Sequence, residues 1–502
     1  MIDFKVSWFD RFLMSVAPTW GLNRVKSRAK TSIALRSYDA AGTGRRTSGW
    51  HRNATDANAA AGPSIAALRE LSRDLRRNNG WAKRAIQVIS GNTVGWGIMA
   101  KPATKKPDLA KRAGEIWKDW SERIDCDYDG RMPFTGLQRL VMDTVVESGE
   151  AIILRETANA DDGLPVPMRI RVLEPDYLDI TRTGKGEGGK IISGIEFDGR
   201  GRRVAYWLYE QHPGATGGFG ASFLKGTHSR RVPASDVLHV YQVDRPGQLR
   251  GVPWLAAAVA KLNDFDDYDD ARLMQAKVAA CFGAFVSDLE GAPALGEQDT
   301  ADDNLEELQP GQIQYLTPGK SITFPNPPSV SDHGAFSETQ LRRIAASLGV
   351  TYEDLTTDYS RVNFSSARMA RLSHWQTLHG IRWEMLIPQF CDGVWGWVME
   401  YAAGIEGWTE VPRAEWSPPP MPMISPEKEG LAYQRLIRSG TMTLYQAIRE
   451  QGNDPATHLA EIAEGNKALD AAGIVLDSDA RKTSGAGLAQ MEAAASGTPP
   501  AK

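Results

Sequence analysis

The stretch DYSRVNFSSARMARLSHWQ, residues 358–376, changes character half way along. Its first half is hydroxyls, an amide, an arginine and two aromatics, without an apolar stripe. Its second half falls into helical spacing at Met369, Leu372 and Trp375. A polar, aromatic-dotted loop thus leads directly into a long helix, far from either terminus. On its N-terminal side, AFSETQLRRIAASLG (335–349) reads as a helix. Ser337 fits the N-cap, Gln340 completes a capping box and Gly349 is the natural stop. The loop then spans 350–365. The next helix, from about Ser366, is expected to kink at Pro388, because proline removes a hydrogen bond and clashes with the preceding turn.

Working outward, residues 1–62 read as a basic arm with few acids (Arg24, Lys26, Arg28, Lys30, Arg45, Arg46, Arg52). It is either a solvated tail or a segment that orders on a neighbour or on nucleic acid. Pro63 is a good first helical residue, with Ile65, Leu68, Leu71 and Leu75 in helical spacing and Asn78-Asn79-Gly80 as the stop. Further helices are expected over Trp81–Ile89, ending at Gly91-Asn92, then around Leu109–Trp120 and Leu137–Val145. The period changes to two in AIILRE (151–156), MRIRVLE (168–174) and DVLHVYQV (236–243), which read as strands. Residues 190–210 read as a hairpin about an Asp-Gly-Arg-Gly turn. A long helix is expected from Pro253 to Val286. Residues 287–330 are rich in Gly, Pro, Asp and Glu, with short strands at GQIQYL and SITF. A Pro-rich linker (417–426), a small helical segment to about 474 and a low-complexity, disordered tail complete the chain. The fold class is α+β.

The 502 residues carry a net charge of −4, so a general grip on nucleic acid through global positive charge is not indicated. The three cysteines, Cys126, Cys281 and Cys391, are far apart and read as reduced structural thiols. No run has the apolar length of a membrane helix, and the N-terminus is amphipathic rather than a signal sequence, which implies an intracellular protein or one that enters an intracellular assembly. LTPGKS (316–321) fails as a phosphate loop: Gln314 stands where the first glycine belongs, and a strand-like segment comes next. NDFDDYDDA (263–271) fails as a calcium loop, with Tyr268 and Asp269 at its fifth-position Asx and glycine sites. On a helix, Asp266, Asp269 and Asp270 share one face, either solvated or a negative surface with a purpose. His374 and His379 are five apart, lack the zinc-protease pattern and read as helix packing. Neither a dinucleotide fingerprint nor a Gly-x-Ser-x-Gly elbow is present. No cofactor or catalytic residue is called.

Four segments together resemble the lambda-type portal proteins of tailed phages: AALRELSRDLRRNNGWAKRAIQVISGNTVGWGI, HVYQVDRPGQLRGVPWLAAAV (239–259), LRRIAASLGVTYEDLTTDYSRVNFSSARMARL (341–372) and ISPEKEGLAYQRLIRSGTMTLYQAIREQGNDP (424–455). The resemblance implies a portal fold with an α+β wing (63–252), a stem helix (253–286), a clip (287–330) and a second stem helix (331–349). It continues with a tunnel loop (350–365), a long kinked wing helix and linker (366–424) and a helical crown (425–475), leaving 476–502 as the tail. It implies a homo-oligomeric ring, usually dodecameric, at one capsid vertex, conducting double-stranded DNA without sequence preference. Its implied partners are the terminase large subunit, the major capsid protein and scaffold, and head–tail connector proteins, with no membrane. Its implied location is the virion, and the host cytoplasm during assembly.

On that reading, Tyr359, Ser360, Arg361 and Asn363 face DNA. Gly349 and Ser365 stop and start the flanking helices, so the loop side chains stay free for this. The alternative packs Tyr359 and Phe364 under the loop and pairs Arg361 with Asp358. Asp266, Asp269 and Asp270 would line the channel. Asp288, Glu290, Asp302, Asp303, Glu306 and Glu307 would dock the motor. Trp375, Trp383, Trp395 and Trp397 carry more apolar surface than one narrow subunit would bury, as a ring requires. The competing reading is a metal-dependent nuclease that uses Asp266, Asp269 and Asp270. Since TPGKS lacks its glycine and its helix, Lys320→Ala is expected to leave nucleotide binding at the wild-type baseline in a filter-binding assay. Loss of ATP binding in a folded K320A protein would contradict this.

Overall fold

The computed structural model describes residues 55–215, 228–281, 285–288, 320–323, 333–421, 423, 425–476, 479 and 481. The chain divides into two units, Met1–Ala60 and Ala61–Lys502. The basic stretch of the expected arm lies almost wholly outside the described residues, and every element from Ile65 onward belongs to the second unit.

Four helices open that unit: α1 (Ile65–Asn78), α2 (Gly80–Val94), α3 (Pro107–Glu122) and α4 (Phe134–Ser148), with strand β1 (Met99–Ala103) between α2 and α3. Asn79 both ends α1 and starts α2, its side chain accepting the Ala82 N–H at 2.8 Å. Two expected boundaries move. Pro63 lies in the turn before α1. Helix α2 runs through Gly91-Asn92 and stops at Gly95, whose φ is +56°. Burial of Ile86, Val88, Ile89 and Val94 outweighs the ~1 kcal/mol cost of a mid-helix glycine.

The period-two segments form an antiparallel sheet in the order β3 (Met168–Leu173), β2 (Glu150–Thr157), β9 (Val237–Tyr241). Strand β2 is buried on both faces. Ala151 and Ile153 join the large helical core, while Ile152 and Leu154 join a smaller one with Ile195, Tyr206, Leu208 and Val232. That smaller core is roofed by a second antiparallel sheet: β4 (Gly184–Lys185), β5 (Lys190–Ile192), β6 (Ile195–Phe197), β7 (Arg203–Tyr209) and β8 (Ser229–Pro233). The expected hairpin at 190–210 is thus three strands, because Ser193-Gly194 adds a turn with both φ angles positive.

The long helix expected from Pro253 to Val286 is shorter. A 3₁₀ turn (Trp254–Ala257) leads into α5 (Val259–Cys281), and Phe285–Asp288 is a strand, β10, paired antiparallel with β11 (Lys320–Thr323). The aromatic and β-branched pair Phe285-Val286 suits a strand. Helix α6 (His333–Leu348) begins four residues before Ser337, so the expected Ser337–Gln340 capping box does not form. Gly349 ends it with φ +69°, as expected. The expected loop contains a helical turn, α7 (Tyr352–Thr356), before α8 (Phe364–Gly380). Wide π-helical turns come next over Ile381–Cys391, with Pro388 inside them, and the run continues as α9 (Asp392–Glu406). Such turns accommodate a residue without an N–H while the helix carries on. Strand β12 (Arg413–Ser417) pairs with β1. Three helices close the described chain: α10 (Pro426–Arg438), α11 (Leu444–Glu450) and α12 (Pro455–Ala472). Among the described residues no helix is long and apolar enough to cross a membrane.

Aromatic rings knit the large core. Trp117 lies 4.8 Å from Trp395 and Phe134 stacks 5.4 Å from Phe390, centroid to centroid. Trp395 and Trp397 are therefore buried inside their own chain rather than left for a neighbour, since each is 6% exposed or less. Of the four tryptophans singled out, Trp383 remains substantially exposed, at 42%, and Trp375 is half-buried beneath the Arg382 guanidinium, 4.4 Å from its ring.

One buried carboxylate joins the elements. Glu150, fully buried at the α4–β2 junction, accepts from Arg250 Nε at 2.8 Å, Arg69 Nη2 at 3.2 Å, His239 Nε2 at 2.9 Å and the Gly251 N–H at 2.8 Å. Gly149 and Gly251 make this approach possible. A Cβ on Gly149 would lie 2.5 Å from the Val252 carbonyl carbon, and one on Gly251 would lie 2.1 Å from the Gly149 oxygen. Burial pushes the Glu150 pKa up, but the Arg250 charge and the His239 hydrogen bond outweigh it and hold the group well below the usual carboxylate range. Burial pushes His239 down. With both folded-state values below the unfolded ones, their stability contribution is complete at neutral pH. It begins to be lost as pH falls below the ordinary histidine and then the ordinary carboxylate value, and is gone only once pH has passed the lower folded-state values. Glu150→Gln, which leaves Arg250 buried without its counter-charge, is expected to cost roughly 3–5 kcal/mol at pH 7. It should also flatten the acid loss of stability below the ordinary carboxylate value of about pH 4.5, as read from urea melts.

Candidate functional site

The polar segment between α6 and α8 is a short, fastened structure. Leu355 of α7 is buried in the large core, and the Thr351 hydroxyl caps α7 by accepting the Asp354 N–H at 3.1 Å. Thr357 closes α7 in the left-handed region with φ +58°. Residues 357–361 are then all exposed, Tyr359 at 58%. Asp358 accepts the Ser360 N–H at 3.0 Å. Arg361 does not pair with Asp358, the partner expected if the loop packed on itself. It reaches Glu338 on α6, at 2.9 and 3.1 Å. Glu338 also holds Arg342 at 2.7 Å and its side chain is largely buried, so the loop is tied to a fixed point. Asn363 departs from expectation too. Its side chain accepts the Ser366 N–H at 2.8 Å while the Ser366 hydroxyl accepts the Asn363 N–H at 3.2 Å. This is a capping box on α8, which starts at Phe364 rather than at Ser366. The loop therefore defines the helix that it precedes.

The acidic trio on α5 does not share an exposed face. Phe265 and Leu262 mark the buried side, and Asp266 and Asp269 are turned toward it, half-buried, while Asp270 is exposed. Asp266 accepts from Asn79 at 2.6 Å, tying α5 to the start of α2. Burial, with Asp266 and Asp270 beside it, pushes the Asp269 carboxyl up, against the pull of His333. Among the described residues the ligating side chains that come together are Glu174, Asp176 and His212, not this trio. Arg73 already supplies their counter-charge, at 3.1 Å from Glu174 and 2.6 Å from Asp176. Of the acids expected to dock a partner, Asp288 ends β10 opposite Lys320 of β11. Glu290, Asp302, Asp303, Glu306 and Glu307 lie outside the described residues, as does GQIQYL.

His374 is buried, its Nδ1 3.2 Å from the Gly349 carbonyl oxygen, whereas His379 is exposed rather than packed between helices. Cys126 and Cys391 are buried free thiols. Burial pushes Cys126 up to about 12 and Cys391 well up, so neither presents a thiolate nucleophile at neutral pH. Sequence reasoning missed the Glu150 cluster and the Glu338 anchor. A charge opening the apolar strand Ala-Ile-Ile-Leu was the available signal for the first.

The architecture is a structural scaffold of mixed helix and antiparallel sheet whose strongest polar groups are spent on holding it together. A family model, phage portal protein of the lambda family, matches residues 43–382. The chain belongs to that family, which is structural rather than enzymatic. It is 26% identical over 463 residues to a probable portal protein of Halomonas phage phiHAP-1, covering 87% of each chain. It is 22% identical over 379 residues to portal protein B of Escherichia phage lambda, covering 68% of this chain and 70% of that one. A solved structure described as the neck of a native gene transfer agent particle, computed with C12 symmetry, covers 82% of this chain and 99% of its own, at 15% identity and a TM-score of 0.46.

Loss of the α8 cap should be measurable in isolation. Asn363→Ala is expected to cost about 1 kcal/mol in urea melts. Arg361→Ala, which removes an exposed arginine while Glu338 keeps Arg342 as its partner, should move the midpoint far less. An equal effect of the two would contradict the cap assignment.

Proposed function

We propose that the chain assembles into a closed ring, a dodecamer, at one vertex of a phage capsid, and that double-stranded DNA is packaged and ejected through its bore. In this reading residues 63–252 form the wing, α5 and α6 the stem, the segment between them the clip, residues 357–363 the tunnel loop and 425–475 the crown. The acidic clip docks the terminase large subunit and later the head–tail connector proteins, and the wing contacts the major capsid protein and scaffold. Assembly takes place in the host cytoplasm, and the finished ring is part of the virion.

The observation that carries this is the loop itself. It is exposed, anchored at both ends and again through Arg361 to Glu338. It presents Tyr359, Ser360 and Arg361, chemistry that meets phosphates without reading sequence. A duplex carries a charge about every 1.7 Å, so a strongly basic bore would trap it. The overall charge of −4 suits a channel that must let DNA slide. One arginine per subunit gives a weak contact that repetition around a ring multiplies.

The test replaces Tyr359 and Arg361 together with alanine and leaves the Asn363 cap intact. Rings should form normally in electron micrographs, while packaged genomes should be shorter or lost from the particle, as read from gels. Full-length, stably retained genomes in normal rings would contradict the role of the loop.

A further inference from the structure

Two helix faces are left uncovered by the described part of the chain, and they are opposite in charge. On α5, Asp264, Asp267 and Asp270 are exposed beside Leu273 and Met274, which are 54% and 60% exposed. On α8, Arg368 and Arg371 are exposed beside Met369 and Leu372, which are 69% and 42% exposed. Helix α8 contains neither Asp nor Glu, whereas five aspartates fall within residues 264–270 of α5. The charges are weakly engaged. Asp264 lies 3.7 Å from Lys261, and Arg368 lies 4.0 Å from Glu429. Asp267, Asp270 and Arg371 make no ion pair among the described residues.

We propose that the acidic face of α5 in one copy of this chain packs against the basic face of α8 in the next copy, with Leu273 and Met274 meeting Met369 and Leu372. This rests on the ring reading above and names the surface that would build the ring. Large apolar side chains grouped in the open, rimmed by charge, mark a surface meant to be covered. Charge complementarity selects the occupant. Either face against its own copy would set acids on acids or bases on bases, so each face favours the other as its partner. Repeated from copy to copy in the head-to-tail sense, this contact is the kind that closes into a ring. Asp270, expected to line a channel, is on this account an interface residue.

The test uses the full chain and charge reversal. Asp267→Arg with Asp270→Arg forms one variant, Arg368→Asp with Arg371→Asp a second, and all four changes a third. In mass photometry, at a concentration where the wild type assembles, each two-site variant should lose at least tenfold in ring population, and the four-site variant should recover most of it. In parallel, Met274→Cys protein is mixed with Leu372→Cys protein and treated with a short bifunctional thiol reagent. Cross-links between the two different variants are expected, well above those formed by either variant alone. Assembling two-site variants, a folded four-site variant that stays apart, or cross-links formed as readily by each cysteine variant alone would overturn this interface while leaving the ring reading in place. A wild-type chain that remains at 55.0 kDa under assembly conditions would overturn the ring reading itself, and this interface with it.

Discussion

The fold turns on a carboxylate that has no access to water. Glu150 sits between the last turn of α4 and the first residue of β2, and its ligands come from α1, β9 and the segment that feeds α5. A lone buried carboxylate would cost many kcal/mol, and pairing with Arg250, Arg69 and His239 makes its burial tolerable. The geometry is restrictive, because Gly149 and Gly251 leave no room for a Cβ between the two backbones. Any movement of the Arg250-Gly251 segment relative to the three-stranded sheet therefore has to break charge-assisted hydrogen bonds. On the proposed ring reading, this suits a part that would have to hold its shape while a duplex slides past it. Arg382 plays a similar role further along. Buried without a carboxylate, it donates to the carbonyls of Thr93, Asn92 and Pro419, where the end of α2 offers partial negative charge. Burial lowers its pKa to about 10, and it stays charged at neutral pH.

Local pattern made much of this architecture readable. The helices at 65–78, 107–122 and 134–148 and the strands at 150–157, 168–173 and 237–241 follow apolar periodicity, because each buries a face set by its own sequence. Boundaries failed where a tertiary contact overrode a local signal. Gly91 did not stop α2, since the apolar run around it is packed, and Ser337 did not start α6, which extends back to His333 beside Tyr268. Pairings between distant segments, such as β1 with β12, left no trace in either strand's sequence. Glu150 belongs to this class: its partners stand at positions 69, 239 and 250, and only the misplaced charge hinted at them.

The candidate site was legible in part for the same reason. That a polar loop lies between Gly349 and a long helix followed from composition. Which of its side chains are free did not. Asn363 is spent on a cap and Arg361 is shared with Glu338, leaving Tyr359 and Ser360 as the least engaged. On α5, a cluster of aspartates looked like one surface, but helical rotation divides it. Asp266 braces the start of α2 through Asn79, Asp269 is half-buried beside it, and Asp264, Asp267 and Asp270 stay outside. Charge in this protein thus serves two ends at two depths, a frame in the core and an anchor under the loop, and on the proposed interface a third, the pairing of faces outside.

A ring whose bore is narrowed by residues 357–363 is the central claim. A reconstruction of the assembled full chain by electron cryomicroscopy, at a resolution that traces side chains, tests it most directly. The expected result is a closed ring with Tyr359 and Arg361 projecting into the narrowest part of a channel wide enough for a duplex. A ring that places this loop on its outer surface, or buries it between subunits away from the channel, would contradict the claim.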